Sequence, residues 1–246
     1  NTYFNQFAFN NFSSIEIIKG PAGSMYGAGT GGVLLMHSFE NPFAPSVKAE
    51  YIFGSNGLQN ILSSISFGEK NNHSLISYAH NESDGYRSNA KSKRDNASFI
   101  SQFKISDKQQ LTANILYNNL FYETPGGLTK AEFTANPKQA RPAAGGFPSA
   151  AAAKAAICQK SFTAGLNHQY NFNSDFKNIL ILYGAFAQIK NPAFRNYERR
   201  NEPGFGGRTS FIYDNKINET AIQLVAGGEL QEDFFNTQVS KNKNGN

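Results

Sequence analysis

Tryptophan is absent from the 246 residues, cysteine occurs once and methionine twice. The lone Cys158 excludes a disulfide-stapled scaffold within this chain, and no Cys/His spacing marks a zinc site. No apolar run approaches the ~18 residues of a helical membrane span. A barrel span stays open, because barrel strands hide their apolar residues at every second position. Charged residues are 17% and hydrophobic residues 39%, both low for a soluble enzyme, and Asn, Ser, Gly, Gln and Thr make up the balance. No charged segment followed by an apolar one opens the chain, so no signal peptide is read and the chain is taken as a fragment. Against these shortages stand 22 Phe and 11 Tyr, far too many large rings for a disordered segment.

Alternation with period two, the mark of half-buried strands, recurs beyond residue 46 in nine segments. In the clearest, Phe162, Ala164, Leu166, His168, Tyr170 and Phe172 fall on one face, with Thr163, Gly165, Asn167, Gln169 and Asn171 on the other. The others cover residues 47–53, 59–67, 74–80, 96–105, 111–118, 179–189, 208–213 and 220–226. Their links alternate in length. Short polar turns fall at 68–72, 106–109, 173–176 and 214–218; the opposite links comprise a short one at 54–57 and long ones at 81–95, 122–160 and 190–208. Long loops confined to one end are the habit of an outer-membrane barrel, whose inward turns are short. The expected fold is therefore all-β, an antiparallel transmembrane barrel fragment of about nine strands. One short helix is expected over 149–157, capped by Ser149. The tail from Gln231 reads as the opening of another long loop.

Residues 15–34 read IEIIKGPAGSMYGAGTGGVL. Gly27, Gly29 and Gly32 satisfy G-x-G-x-x-G, but a dinucleotide fold needs a helix opening on these glycines and a parallel strand after it. Here the glycines lead into the β-prone Val33 to Met36 and then into prolines 42 and 45, and no Gly-Lys-Ser/Thr follows for a phosphate loop. In order and spacing, Ile15-Glu16-Ile17-Ile18, Lys19-Gly20-Pro21, Tyr26-Gly27 and Gly31-Gly32-Val33 resemble the last part of the plug domain of TonB-dependent outer-membrane receptors. That resemblance implies a plug portion at 1–40, a linker at 41–46 and the first part of a 22-stranded barrel at 47–246. At about 20 residues a strand, such a barrel needs about 450 residues, so more than half of it lies outside this chain. It also implies that Glu16 and Lys19 serve plug structure, since basic plug residues of the family pair with carboxylates inside the barrel. Lys19 stands where the family more often has arginine. The strings at 123–129 and 136–142 resemble receptors for ferric citrate and related chelates.

All seven arginines lie in the three long links, which hold 14 Lys and Arg against 7 Asp and Glu, while the remainder of the chain sums to −2. The guanidinium fork suits carboxylate and phosphate, so an anionic ligand is expected at the outer mouth. Arg141, Arg195, Arg199 and Arg200 are the first candidates, with Arg87 and Arg94 secondary. Solvation of loops and bridging of lipopolysaccharide phosphates at the barrel rim are the competing uses of this charge. Tyr86, Phe194 and Tyr197 stand beside the arginines in sequence and suit the apolar parts of a chelate. The four histidines show no ligand spacing, and no nucleophile motif such as G-x-S-x-G is present. Neither enzyme activity, metal, cofactor nor nucleic-acid partner is expected. The family resemblance implies active import of a ferric chelate, driven through TonB by a plug segment upstream of Asn1, with membrane lipid and lipopolysaccharide around the wall. A surface adhesin and a passive porin are the alternatives, and neither needs a plug.

Overall fold

The computed structural model describes residues 7, 12–21, 31–37, 44–69, 71–218, 220–243 and 245. They form two separate sheets. In the smaller, β1 (Ser14–Lys19) pairs antiparallel with β2 (Gly32–His37), from Ser14 opposite His37 to Lys19 opposite Gly32. The antiparallel sense rules out the parallel strand that a dinucleotide-binding unit requires. Gly32 takes φ +138°, and a Cβ there would run into the carbonyl oxygen of Ile18. Glu16 and Lys19 are exposed on β1, and Gly20, Pro21 and Gly31 lie at the connected end of the pair, beyond Lys19 and Gly32. Tyr26 and Gly27 lie outside the described residues.

The larger sheet is a meander: β3 (Ser46–Gly54), β4 (Leu58–Glu69), β5 (Asn72–Ser83), β6 (Ser92–Ser106), β7 (Gln109–Glu123), β8 (Ala156–Asn171), β9 (Phe176–Pro192), β10 (Asn196–Ile217) and β11 (Thr220–Asp233) each pair antiparallel with the next. All nine expected strands are present, in the expected order. Because every step is antiparallel, links 55–57, 84–91, 124–155 and 193–195 share one end of the sheet. The links after β4, β6, β8 and β10 share the other. The chain forms part of the wall of an antiparallel transmembrane barrel.

The sheet is inside-out by the standards of a water-soluble protein. Asn96, Asn118 and Ser77 are at most 2% exposed, whereas Leu182, Phe162 and Leu166 are 46–50% exposed. On the polar face, side chains bond across the ladder: Asn96 Nδ2 donates to Asn118 Oδ1 at 2.9 Å, and the Ser77 and Ser98 hydroxyls meet at 2.5 Å. On the apolar face, Tyr78, Ala97, Tyr117, Phe162 and Phe186 form one continuous row across five strands. A second aromatic cluster lies toward the short turns, where Tyr170, Phe172, Phe176 and Phe211 follow one another with ring centroids 4.8, 5.0 and 6.1 Å apart. Ten residues separate Phe162 in β8 from Phe172, the first residue beyond it. At ~3.3 Å per residue and a tilt near 40° this is about 25 Å, the height of the apolar band between the aromatic girdles of an outer-membrane barrel.

Three local expectations are corrected. The link expected at 190–208 is a three-residue turn, 193–195, because β9 and β10 continue their ladder from Tyr197 opposite Pro192 down to Tyr213 opposite Phe176. Beyond the upper aromatic row the apolar face gives way to the exposed Lys160, Lys190 and Arg199 while Ile189 is buried on the opposite face, so alternation fades although the backbone pairing continues. The tail from Gln231 is strand for the same reason. β12 (Asn236–Lys241) pairs with β10 in the register of β11, from Asn201 opposite Asn236 to Asn196 opposite Lys241. Between the two pieces Pro203, which has no N–H, lies opposite Phe234 and accepts its N–H at 2.9 Å. Residues 149–157 are not a helix. One turn, with Ala153 N donating to Ser149 O at 2.9 Å, ends at Lys154 (φ +48°), and Ala156 already belongs to β8. Ser149 does act as a cap, its hydroxyl accepting from Ala152 N at 3.1 Å.

Leu166 sits midway between the two aromatic rows, and Asn167 beside it faces the polar side. Arginine at Leu166 is expected to cost about 2–4 kcal/mol in refolding of the intact receptor into bilayers, and arginine at Asn167 much less. Lipid-borne quenchers should reach a label at 166 and not at 167; the reverse would invert the wall.

Candidate ligand site at the loop end

The link 124–155 is the largest element beyond the sheet, and neighbouring side chains hold it at several points. Asn89, in the left-handed region at φ +56°, donates from Nδ2 to Thr124 O at 3.1 Å and to Ala155 O at 3.0 Å, closing the link at its base. Arg87 donates from Nε and Nη2 to Gln139 O at 3.0 and 2.9 Å, while Ser88 N donates to Lys138 O at 2.8 Å. Within the link, α1 (Lys130–Ala135) starts on a capping box: Glu132 N donates to Thr129 Oγ1 at 3.3 Å, and Thr129 N donates to Glu132 Oε2 at 2.7 Å. The N–H and hydroxyl of Thr129, with a smaller contribution from the charge of Arg141, hold the Glu132 carboxyl below its ordinary range.

Arg141 is fixed along its backbone, its N–H donating to Pro125 O at 2.7 Å and its carbonyl accepting from Ala150 at 3.0 Å. Gly126 (φ +73°) lies against it; a Cβ there would come within 2.9 Å of the Arg141 Cβ. The Arg141 guanidinium stacks 4.3 Å from the ring centroid of Phe194, in the β9–β10 turn, and donates from Nη2 to Pro148 O. Reciprocally, Arg195 in the turn stacks 4.6 Å from the ring of Phe147, in the link. The two rings meet edge to face at 5.6 Å. Neither Arg141 nor Arg195 forms an ion pair among the described residues. Such a pair, seated on apolar rings and without an ion-pair partner among the described residues, is equipped to receive carboxylates from solution.

The other arginines are placed differently. Arg200 is held between Glu198 and Glu202, each at 3.3 Å. Arg94 and Arg200 share one row of the polar face, with Leu120, Gln159 and Ile189 between them. Arg199 falls on the opposite, apolar-side face, exposed, with its guanidinium 5.1 Å from the ring of Tyr197. Arg208 lies opposite Glu229 in the ladder. Arg87 is committed to the link's backbone. Sequence reading missed Phe147 and Asn89, since nothing in a local pattern shows that a Phe 47 residues before Phe194 will meet it, or that one asparagine will bridge both ends of a link.

No protein-family model matches the chain. Solved structures do. A ferric citrate transporter, FecA, in its unliganded form superposes with a TM-score of 0.78 over 98% of this chain and 37% of its own, at 14% identity. The fold is that of the TonB-dependent outer-membrane receptors. The siderophore receptor PiuA of Acinetobacter baumannii gives 0.74 over 92% of this chain and 37% of its own, also at 14% identity. The pyoverdine receptor FpvA of Pseudomonas aeruginosa gives 0.74 over 95% and 37%, again at 14%. The chain thus spans little more than a third of the length of these receptors. Arg141 and Arg195 lie at the end of the sheet that bears the long link.

Because Asn89 holds both ends of the link with one amide, Asn89→Ala is expected to cost about 1–3 kcal/mol of local stability. Amide exchange in 124–155 should accelerate while the ladder from β6 to β8 stays protected. Unchanged exchange in the link would show that its base is held by other contacts.

Proposed function

We propose that the chain belongs to a receptor that captures an anionic ferric chelate at its outer mouth, ferric citrate being the first candidate, and imports it with TonB-derived energy. The observation that carries this reading is the reciprocal stack of Arg141 on Phe194 and Arg195 on Phe147, two unpaired guanidiniums on the outermost surface. FecA, whose fold the chain shares, is a ferric citrate transporter, which agrees with a carboxylate-rich chelate. Arg94 and Arg200 lie further down the polar face, along the route a ligand would take, and Arg87 contributes by ordering the link. In this reading residues 1–40 are plug, 41–46 linker and 47–246 barrel wall, and the β1–β2 hairpin is a feature that an adhesin or porin does not need.

The test is titration of the intact receptor with ferric citrate and with a neutral siderophore. One charge-assisted hydrogen bond is worth about 1.5–3 kcal/mol, so Arg141→Ala and Arg195→Ala should each weaken ferric citrate roughly ten- to a hundred-fold and leave the neutral ligand unaffected. Equal affinity for both ligands in wild type, or no loss in either variant, overturns the reading.

Arg199 is assigned to a different partner. Lys190 stands directly opposite it in the ladder, and Lys160 lies on the adjacent strand opposite Gln188, all three exposed on the apolar-side face just above the Tyr117, Phe162 and Phe186 row. Like charges facing each other across a ladder repel, and none of the three forms an ion pair among the described residues. Phosphates of lipopolysaccharide in the outer leaflet supply the missing counter-charge. Glutamate at 160, 190 and 199 together should reduce the lipopolysaccharide that co-purifies with the receptor and leave ferric citrate affinity unchanged. Undiminished lipid would remove this assignment.

A further inference from the structure

The two guanidiniums without ion pairs sit on different elements, Arg141 on the link 124–155 and Arg195 on the turn 193–195. Each stacks on a ring carried by the other element, Arg195 lying also 5.3 Å from Phe194 of its own turn, so a slide of the turn along the link disturbs both inter-element stacks together. Ring contacts resist such a slide weakly, since a cation over a face has no directional bond to break. Among the described residues no hydrogen bond runs directly between link and turn. The directional tie comes from a third element. Asn242, just beyond β12, donates from one Nδ2 to Ala153 O at 2.8 Å and to Ala193 O at 2.7 Å. Its Oδ1 accepts from Gly245 N at 2.7 Å, so the amide is satisfied on both sides and its orientation is determined. Lys241 pairs with Asn196, and one further step of the same register brings Asn242 opposite Arg195. The turn is closed beneath it by Ala193 N donating to Asn196 O at 2.8 Å.

We infer that Asn242 is a positioning residue that sets the spacing between the Arg141 and Arg195 guanidiniums, and through that spacing the affinity for a polycarboxylate chelate. The functional half rests on the reading of this pair as the chelate site. A primary amide suits the role because both hydrogens sit on one nitrogen and point to two carbonyls on two elements. Aspartate would set an oxygen against both carbonyls, and leucine would match the volume with no donor at all.

The intact receptor tests both halves. In a Cys158→Ser background, spin labels at Ala151 and Asn196 report the distance between link and turn without ligand. The parent should give one narrow distribution and Asn242→Leu a broad one. Indistinguishable distributions overturn the inference, whatever the ligand results. Ferric citrate affinity should fall about ten-fold in Asn242→Leu and Asn242→Asp, but change less than about two-fold when Asn242→Leu is added to Arg141→Ala/Arg195→Ala, because residues acting through a shared contact are not additive. An additive loss also overturns it. Full affinity in the arginine variants would instead sink the chelate reading, and with it only the functional half of this inference.

Discussion

A backbone amide in hydrocarbon has no water to bond to, so each one in the membrane band must find its partner on a neighbouring strand. The ladder from β3 to β11 is the response to that constraint, and the rest of the molecule is arranged around it. Consecutive strands pair because a two- to four-residue turn can join antiparallel neighbours, as at 107–108 and 172–175. Pairing in strict order then sends successive links to opposite ends, which is what gathers residues 84–91, 124–155 and 193–195 into one rim. The side-chain period of two follows from the pleat. It gives Leu166 to the lipid side and Asn167 to the interior, and it makes Asn96, Asn118 and Ser77 the buried residues where a soluble protein would bury leucines.

Above the upper aromatic row the same ladder continues under a weaker constraint, since water can now satisfy any backbone group the strands release. There the structure uses side chains to bond backbone. Arg87, Asn89 and Asn242 all donate to carbonyls of the long link, and between them they hold its tip, its base and its contact with the β9–β10 turn. Cationic groups at the rim are thereby divided by task. Arg87 is occupied with carbonyl oxygen and Arg200 with two carboxylates. Arg141 and Arg195 rest on aromatic faces with no ion pair among the described residues, and Arg199 stands on the apolar-side face.

The membrane band was legible in the chain because lipid on one face and a polar interior on the other force alternation, and nine segments carried it. The ends of the strands were not legible. β10 begins at Asn196, twelve residues before the alternation starts at Arg208, since in that stretch exposed cations stand on the face that is apolar further down and Ile189 is buried on the other, so hydrophobicity no longer sorts by face. Helix propensity misplaced the one helix for a related reason. The alanines of 150–156 include four that are nearly fully buried, so they are selected for close packing, while the helix forms at 130–135 where Thr129 and Glu132 supply a complete cap.

The sequence by itself determined the all-β class, the order of the strands, which face of each is apolar, and the gathering of basic residues toward one end. These are properties of short spacing, set by a pleat of period two and by turn length. Only the tertiary structure decided which arginines remain free. Arg199 and Arg200 are neighbours in the chain, yet the pleat sends them to opposite faces, one toward Lys190 and the other between two glutamates. Arg141 and Arg195 are 54 residues apart, yet they interlock through Phe147 and Phe194. A contact of that kind depends on where two elements come to rest against each other, which a ladder running through β8 and β9 fixes and no local pattern encodes.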